Sequence, residues 1–308
     1  TCATAYQLRV YEGLFRQTND FYFGDLIERT MYNALFGAQS PDGRRIRYYT
    51  PFEGGREYYQ GDTYCCPNNY RRIIAELPSM IYYRTPEDGV AINLFTSSTG
   101  HIDLGPRGSV SIKQETQYPN SGIVTIEVNP SKSMQMAIRI RIPGWARGTT
   151  ITVNNETWNE NVAPGTMIRI ERKWSAGDRI MMDMPMEWRF VQGRKRQAGT
   201  VAIMRGPVLF CLDPAKNPDA GLEGLNSQEL GRFIIDPASI EGPFKDSTVR
   251  PGGMACRIGA WREGYGVGGA HDMSLLLTDF SDPDGKAAYF RVRDTKMTEE
   301  DELVRKTQ

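Results

Sequence analysis

Along the first eighty positions, apolar residues recur every three or four places. Leu8, Tyr11, Leu14 and Phe15 make one such stripe. After the polar break Thr18-Asn19-Asp20, a second runs through Phe23, Leu26, Ile27, Met31, Ala34 and Leu35. This spacing lines the side chains along one face of an α-helix. Ser40-Pro41-Asp42-Gly43 predicts a turn, with a short extended piece behind it from Ile46 to Phe52. A loop rich in glycine and tyrosine, Gly54 to Tyr64, leads into a third helix. Pro67 suits its first turn, where the missing N–H costs nothing. Ile73, Ile74, Leu77 and Ile81 mark its buried face, and Pro78 kinks or ends it.

From Gly89 the period drops to two. Ile138-Arg139-Ile140-Arg141-Ile142 alternates apolar with charged residues, the signature of a strand with one wet face. Thr166 to Arg172 and Arg179 to Met186 repeat it, and Val153-Asn154-Asn155-Glu156 and Ser175-Ala176-Gly177-Asp178 read as the turns between strands. Val201 to Cys211 is more continuously apolar and predicts a buried strand. The polar stretch from Asp213 to Gly231 reads as a linker or long loop. Met273 to Phe280 and Ala287 to Val292 are further strands, joined by Asp282-Pro283-Asp284-Gly285. The last fifteen residues are charged, poorly patterned and expected to fray. Many short strands at this spacing suggest antiparallel β-sandwiches. The expected organisation is therefore multidomain α+β: a helical part over residues 1–88, a β-sandwich over 89–213, and a second sandwich over 214–308.

The 308 residues are enough for two or three domains. Thirty-seven basic and 37 acidic side chains cancel, so charge offers no reason to expect a nucleic acid or an anionic membrane as partner. No apolar run approaches the ~18 residues that cross a bilayer. Two histidines, His101 and His271, are too few and too far apart for a histidine-based metal site. Both lie in turn-like segments, as surface residues do. The chain starts Thr1-Cys2-Ala3 and drops at once into a helical pattern, which reads as a piece of a longer protein. Any targeting segment would then lie upstream, leaving bacterial cytoplasm and periplasm both open.

Five cysteines are sparse for this length and show no disulfide-framework spacing. Cys211 and Cys256 sit in apolar strand-like segments and read as core residues. Cys65 and Cys66 are adjacent. Two neighbouring thiols can reach one soft cation, and a third from a distant segment, Cys2, would nearly complete a tetrahedral zinc site. A pair of buried structural cysteines and a strained vicinal disulfide are the alternatives. Tyr58, Tyr59 and Tyr64 beside the doublet either stack on a ligand ring or simply pack.

The combination of Asp25-Leu26-Ile27-Glu28-Arg29, Tyr32-Asn33, Cys65-Cys66-Pro67-Asn68-Asn69, Arg141-Ile142-Pro143-Gly144-Trp145 and Arg205-Gly206-Pro207-Val208 resembles the C-terminal half of glycoside hydrolase family 127 and its relative, family 146. These are bacterial β-L-arabinofuranosidases. The resemblance implies the remnant of an (α/α)6 barrel followed by two β-sandwich domains. It also implies Zn2+ held by Cys2, Cys65 and Cys66 plus a glutamate, with Cys65 as nucleophile, acting on an L-arabinofuranosyl-containing plant glycan. The glutamate ligand belongs to a Glu-Thr-Cys motif of which Thr1-Cys2 remain, and the acid/base glutamate would lie further upstream. Glu28 matches a glutamate that binds the sugar, and Tyr48 or Tyr49 falls where a tyrosine lines the pocket. Asn68, where proline, serine or threonine is usual, and Tyr70-Arg71, in place of a small apolar pair, depart from the pattern. A barrel remnant would leave Leu26, Ile27 and Met31 without neighbours. The competing reading is a non-catalytic carbohydrate-binding or scaffolding module with a structural zinc.

Overall fold

A computed structural model describes residues 1–58, 65–87, 89–262 and 269–304. The chain forms two compact units. One comprises Gln7–Glu28 and Arg71–Met186; the other comprises Thr1–Tyr6, Arg29–Tyr70 and the chain from Glu187 onward.

Three helices form where the apolar stripes predict them: α1 (Cys2–Thr18), α2 (Phe21–Arg29) and α3 (Cys65–Glu76). Asn19, at φ 57, ends α1 in the left-handed region that asparagine tolerates. The Asp20 carboxylate accepts from Tyr22 N at 3.1 Å and caps α2. α3 gives way to a 3-10 turn, Leu77–Met80, because Pro78 has no N–H to continue the ladder. The second stripe is not one α-helix. Past Arg29 it widens into a π-turn, Thr30–Leu35. Apolar spacing does not register such a widening, but Asn33 explains it. Its Nδ2 donates to Arg29 O and Pro207 O, both at 2.8 Å, and its Oδ1 accepts from Leu209 N at 2.8 Å. Every polar atom of this buried amide is thus used, one bond closing back onto Arg29 and two joining the turn to Pro207 and Leu209. Ile27 and Met31 are buried rather than exposed, and Leu26 is half-buried; the open apolar residues of the helical region are Tyr6 and Val10.

The first unit carries strands β1 (Tyr82–Arg84), β2 (Val90–Ile92), β3 (Ser98–Asp103), β4 (Ser109–Thr116), β5 (Ile123–Pro130), β6 (Met134–Ile142), β7 (Thr150–Val153), β8 (Glu156–Thr157), β9 (Thr166–Trp174) and β10 (Asp178–Asp183). They form a four-stranded sheet, β1-β2-β6-β9, and a six-stranded sheet, β3-β4-β5-β10-β7-β8. Alternation becomes rows of apolar residues. Val90, Ile138 and Ile170 form one row across the smaller sheet, and Ile126, Ile180 and Val153 one across the larger. Such cross-strand pairs fix register, since a one-residue slip would turn each row to the opposite face. The β2–β6 pairing is parallel, a departure from the all-antiparallel expectation. Asn154 and Asn155, at φ 52 and 68, make the predicted turn between β7 and β8.

The second unit holds β11 (Trp188–Gln192), β12 (Val201–Arg205), β13 (Val208–Leu212), β14 (Ile234–Ile235), β15 (Glu241–Lys245), β16 (Met254–Trp261), β17 (Met273–Asp279) and β18 (Tyr289–Val292), all in one eight-stranded sheet. The boundary expected at 213–214 falls inside this sheet, because β13 pairs with β17 and β12 with β18. The polar stretch after Asp213 is correspondingly no free linker. Asn217 donates to Leu276 O at 2.9 Å and accepts from Leu276 N at 2.7 Å, while Leu222 and Leu230 join the core beneath the sheet. The charged tail is likewise tied down through Glu302. Arg189 lies 3.0 Å from both Glu299 and Glu302, and Arg29 reaches Asp301 at 2.7 Å and also pairs with Glu302. The expected fraying does not extend to these residues, and 305–308 lie outside the described residues.

Each unit buries a carboxyl at a price in charge. Burial lifts Asp25 to about 6, Arg141 opposing and Glu28 reinforcing the rise; burial likewise lifts Asp279 to about 6 against Arg250. The folded protein therefore holds these protons more tightly than the unfolded chain, whose aspartates titrate near 3.8. Their contribution is present below about pH 4 and is lost as pH rises toward about 6, on the order of 2–3 kcal/mol each. Thermal midpoints measured from pH 4 to 6.5 should fall, and Asp279→Asn should flatten the slope. A midpoint insensitive to Asp279→Asn over this window would contradict the assignment.

Candidate metal centre

The helical starts bring the thiols together. Cys2 opens α1 and Cys65 and Cys66 open α3, so all three belong to the same compact unit. The Cys2 and Cys66 sulfurs are 3.4 Å apart, those of Cys65 and Cys66 4.0 Å, and all three lie within 4.8 Å of one another. A tetrahedral ion at ~2.3 Å from each sulfur holds its ligands about 3.8 Å apart. The observed separations bracket that value, so three thiols of this arrangement fit a zinc-like ion. They do not fit a vicinal disulfide, whose sulfurs stand ~2.05 Å apart. A pair of buried structural cysteines is not the arrangement either, because Cys66 is buried but Cys65 is exposed and Cys2 half-buried.

The surroundings bias the sulfurs unequally. Burial raises the Cys2 thiol, but hydrogen bonds from Asn69 and from the Cys66 and Cys65 thiols outweigh it and leave Cys2 below its ordinary value. Burial pushes Cys66 up to about 11, helped by its contact with Cys2. A bound cation would hold both sulfurs as thiolates.

Around them, Thr1 N donates to Tyr48 O at 2.7 Å, which ties the strand-like segment after Ile46 to the start of α1. The rings of Tyr48 and Tyr49 meet edge to face at 4.6 Å, and both are exposed. The Tyr48 phenol is raised above its ordinary value chiefly by Tyr49, then by Cys66, Cys65, burial and Cys2. Tyr70, one of the departures from the family pattern, is a buried residue of α3 and donates to Gln39 Oε1 at 3.0 Å. Of the tyrosines considered for stacking, Tyr58 accepts from Arg47 Nη2 at 2.7 Å and lies under the Arg45 guanidinium at 4.6 Å, which is packing. Tyr59 and Tyr64 lie outside the described residues.

Glu28 belongs to the other unit and is 1 % exposed. Its Oε1 takes Arg141 Nη2 at 2.6 Å and its Oε2 takes Trp145 Nε1 at 3.3 Å. This departs from the expectation of a carboxylate open to a sugar hydroxyl, and equally from a solvated helix residue: both oxygens are engaged by protein donors in the interior. Asn69 is the site residue the sequence left without a role. Its signal was its position, four residues after Cys65 on a helix and therefore on the same face.

The remaining candidates behave as expected or are filled. Cys211 and Cys256 are buried strand residues, with Cys211 raised by burial to about 11. His101 is exposed, on β3 rather than in a turn, and His271 pairs with Asp236 at 2.9 Å. Asp213, Asp282 and Asp284 also bring carboxylate oxygens together, but Lys216 Nζ occupies that group at 2.6 Å from Asp282.

Comparison with known proteins gives a consistent picture. Residues 1–79 match the family model described as β-L-arabinofuranosidase, GH127 catalytic domain, and residues 89–186 match the GH127 middle domain of the same enzymes. Over 222 residues the chain is 28% identical to a non-reducing end β-L-arabinofuranosidase of Bifidobacterium longum subsp. longum, an alignment covering 64% of this chain and 32% of that protein. The fold matches the crystal structure of a GH127 β-L-arabinofuranosidase from Geobacillus stearothermophilus T6 with a TM-score of 0.78 at 22% identity, over 94% of this chain and 49% of that one. It matches a GH127 β-arabinofuranosidase with a TM-score of 0.80 at 23% identity, over 97% and 50%. The chain thus spans about a third of the curated relative and about half of each solved one.

Proposed function

The chain belongs to glycoside hydrolase family 127, and from that premise we propose that it is the zinc-holding part of a retaining β-L-arabinofuranosidase whose nucleophile is Cys65. The observation that carries this reading is the convergence of the Cys2, Cys65 and Cys66 sulfurs within 4.8 Å. Three sulfur donors are the set that selects a borderline-soft cation such as zinc. Zinc, when bound, would keep the sulfurs deprotonated and fix their direction.

Cys65 is the exposed member of the three, hence the one an anomeric carbon can approach. Its thiolate forms a carbon–sulfur bond as the bond from that carbon to the leaving oxygen breaks, and the oxygen takes a proton from a carboxylic acid. The same carboxylate then accepts a proton from the water that displaces the sulfur, and two inversions leave the configuration retained. Cys2 and Cys66 would hold the ion when it is bound. The exposed rings of Tyr48 and Tyr49 offer apolar faces suited to stacking on a sugar. On this reading α1–α3 are part of an (α/α)6 barrel and the sheets from residue 89 onward build β-sandwich domains, with an L-arabinofuranosyl-bearing plant glycan as substrate.

The test is metal content and hydrolysis together. The purified chain should carry about one zinc, removable by a chelator, and in a protein that joins this chain to the acid/base glutamate, hydrolysis of an aryl β-L-arabinofuranoside should vanish with the metal and return with it. A chain that takes up no zinc with all three thiols reduced overturns the reading.

A further inference from the structure

We propose that Asn69 is a positioning residue for the metal ligands: its carboxamide donates an N–H···S hydrogen bond to Cys2 that aims this sulfur at the point shared with Cys65 and Cys66. The inference rests on the zinc reading given above. Asn69 Nδ2 lies 3.3 Å from Cys2 Sγ, within hydrogen-bond range of a sulfur acceptor. Asn69 stands four residues after Cys65 and three after Cys66, so α3 carries ligands and amide on one face. Cys2 comes from a different helix, and among the described residues Asn69 is the side chain of α3 other than the cysteines that holds it.

The energetics single the amide out. Asn69 is 6 % exposed, and its Oδ1 is buried without a hydrogen-bond partner. A leucine would fill the same space without stranding a carbonyl oxygen, so an asparagine that served only as packing would be the poorer choice. What the amide adds is the donor. A metal-bound thiolate is an acceptor only, so turning the amide over would set oxygen lone pairs against sulfur lone pairs. The donor orientation is the one attractive to the ligated form. Outer-shell hydrogen bonds of this kind fix ligand direction, and their loss typically costs 10–100-fold in metal affinity.

Cobalt(II) is the probe, because its sulfur-to-metal charge-transfer absorption reports directly on the ligating sulfurs. The whole chain and two variants, Asn69→Asp (same shape, no donor) and Asn69→Leu, are titrated with cobalt in competition with a chelator. Both variants should bind cobalt about 10–100-fold more weakly. Their charge-transfer band should also move to longer wavelength, since a sulfur without its N–H donor gives up electron density more readily. Thermal melting of the metal-free protein should be unchanged in at least one of them. Wild-type affinity and an unmoved band in both variants overturn the proposal. Weaker binding with an unmoved band also overturns it, showing that Asn69 acts through packing alone. A wild-type chain that takes up no cobalt overturns the zinc reading, and this inference with it, an outcome distinct from failure in the variants alone.

Discussion

Arg141→Met should lower the unfolding free energy of the unit that contains it by about 3–5 kcal/mol, the cost of removing one member of a buried ion cluster. Arg141 is fully buried, and its guanidinium holds two carboxylates: Asp25, and Glu28 at 2.6 Å. Its Nε donates to Asn93 O at 2.8 Å. The carboxylates are fixed again from behind, Asp25 by Gly144 N at 2.9 Å and Glu28 by Trp145 Nε1. Without the guanidinium, two acids remain a short distance apart in a dry interior and repel. Urea unfolding followed by tryptophan fluorescence measures the loss. Adding Asp25→Asn and Glu28→Gln to Arg141→Met should recover a substantial part of it, since the penalty lies mainly in unpaired charge rather than in lost packing. A loss below about 1 kcal/mol would mean that water reaches the cluster. Gly24 belongs to the same arrangement: a Cβ there would come 2.4 Å from Asn93 Oδ1 and 2.7 Å from Arg141 Cδ, so Gly24→Ala is expected to disturb it too.

Cys65→Ser should reduce kcat for an aryl β-L-arabinofuranoside on the order of 10³–10⁶-fold wherever the wild-type protein turns it over, the range seen when a nucleophile is removed. A serine hydroxyl neither ionises in the same range nor ligates zinc comparably, so metal content should fall as well. The informative control is Cys256→Ala, which removes a thiol buried in β16 and outside the sulfur cluster. It should lower stability modestly and leave kcat and bound zinc alone. If Cys65→Ser keeps wild-type kcat, the nucleophile is another group, whatever the metal does.

The candidate site was legible in the sequence to the extent that local chemistry decides it. The adjacent Cys65-Cys66 pair stood out at once, but spacing alone left buried structural cysteines and a vicinal disulfide open, and only the family resemblance joined Cys2 to it; the structure brings the three sulfurs within 4.8 Å of one another. Four of the five segments that carried the family resemblance, all but the cysteine doublet, turn out to be halves of two contacts: Asp25 and Glu28 meet Arg141, Gly144 and Trp145, and Asn33 meets Pro207 and Leu209. Partners more than a hundred residues apart leave no trace in periodicity, so each half reads alone as an ordinary helix or strand segment. That is why Glu28 could be taken for a sugar contact or a solvated residue when it is an interior ion pair. Sheet membership was hidden for the same reason. A polar run such as Asp213 to Gly231 looks like a linker until Asn217 is seen bonded to β17. The strands themselves, set by alternation over a few residues, were largely readable.

The π-turn at Thr30–Leu35 makes this stretch sensitive to length rather than to composition. An extra residue is accommodated there without lengthening the helical rise by a full step, and each residue advances the direction of those after it by about 100°. Deleting a single residue would let the backbone relax into the commoner α form and would swing Asn33 away from Pro207 and Leu209, orphaning two hydrogen bonds at once. Conservative exchanges of Thr30 or Ala34 would leave that phase intact. Sequence comparison across relatives should accordingly find this segment variable in residue identity yet nearly invariant in residue number, a frame kept by counting.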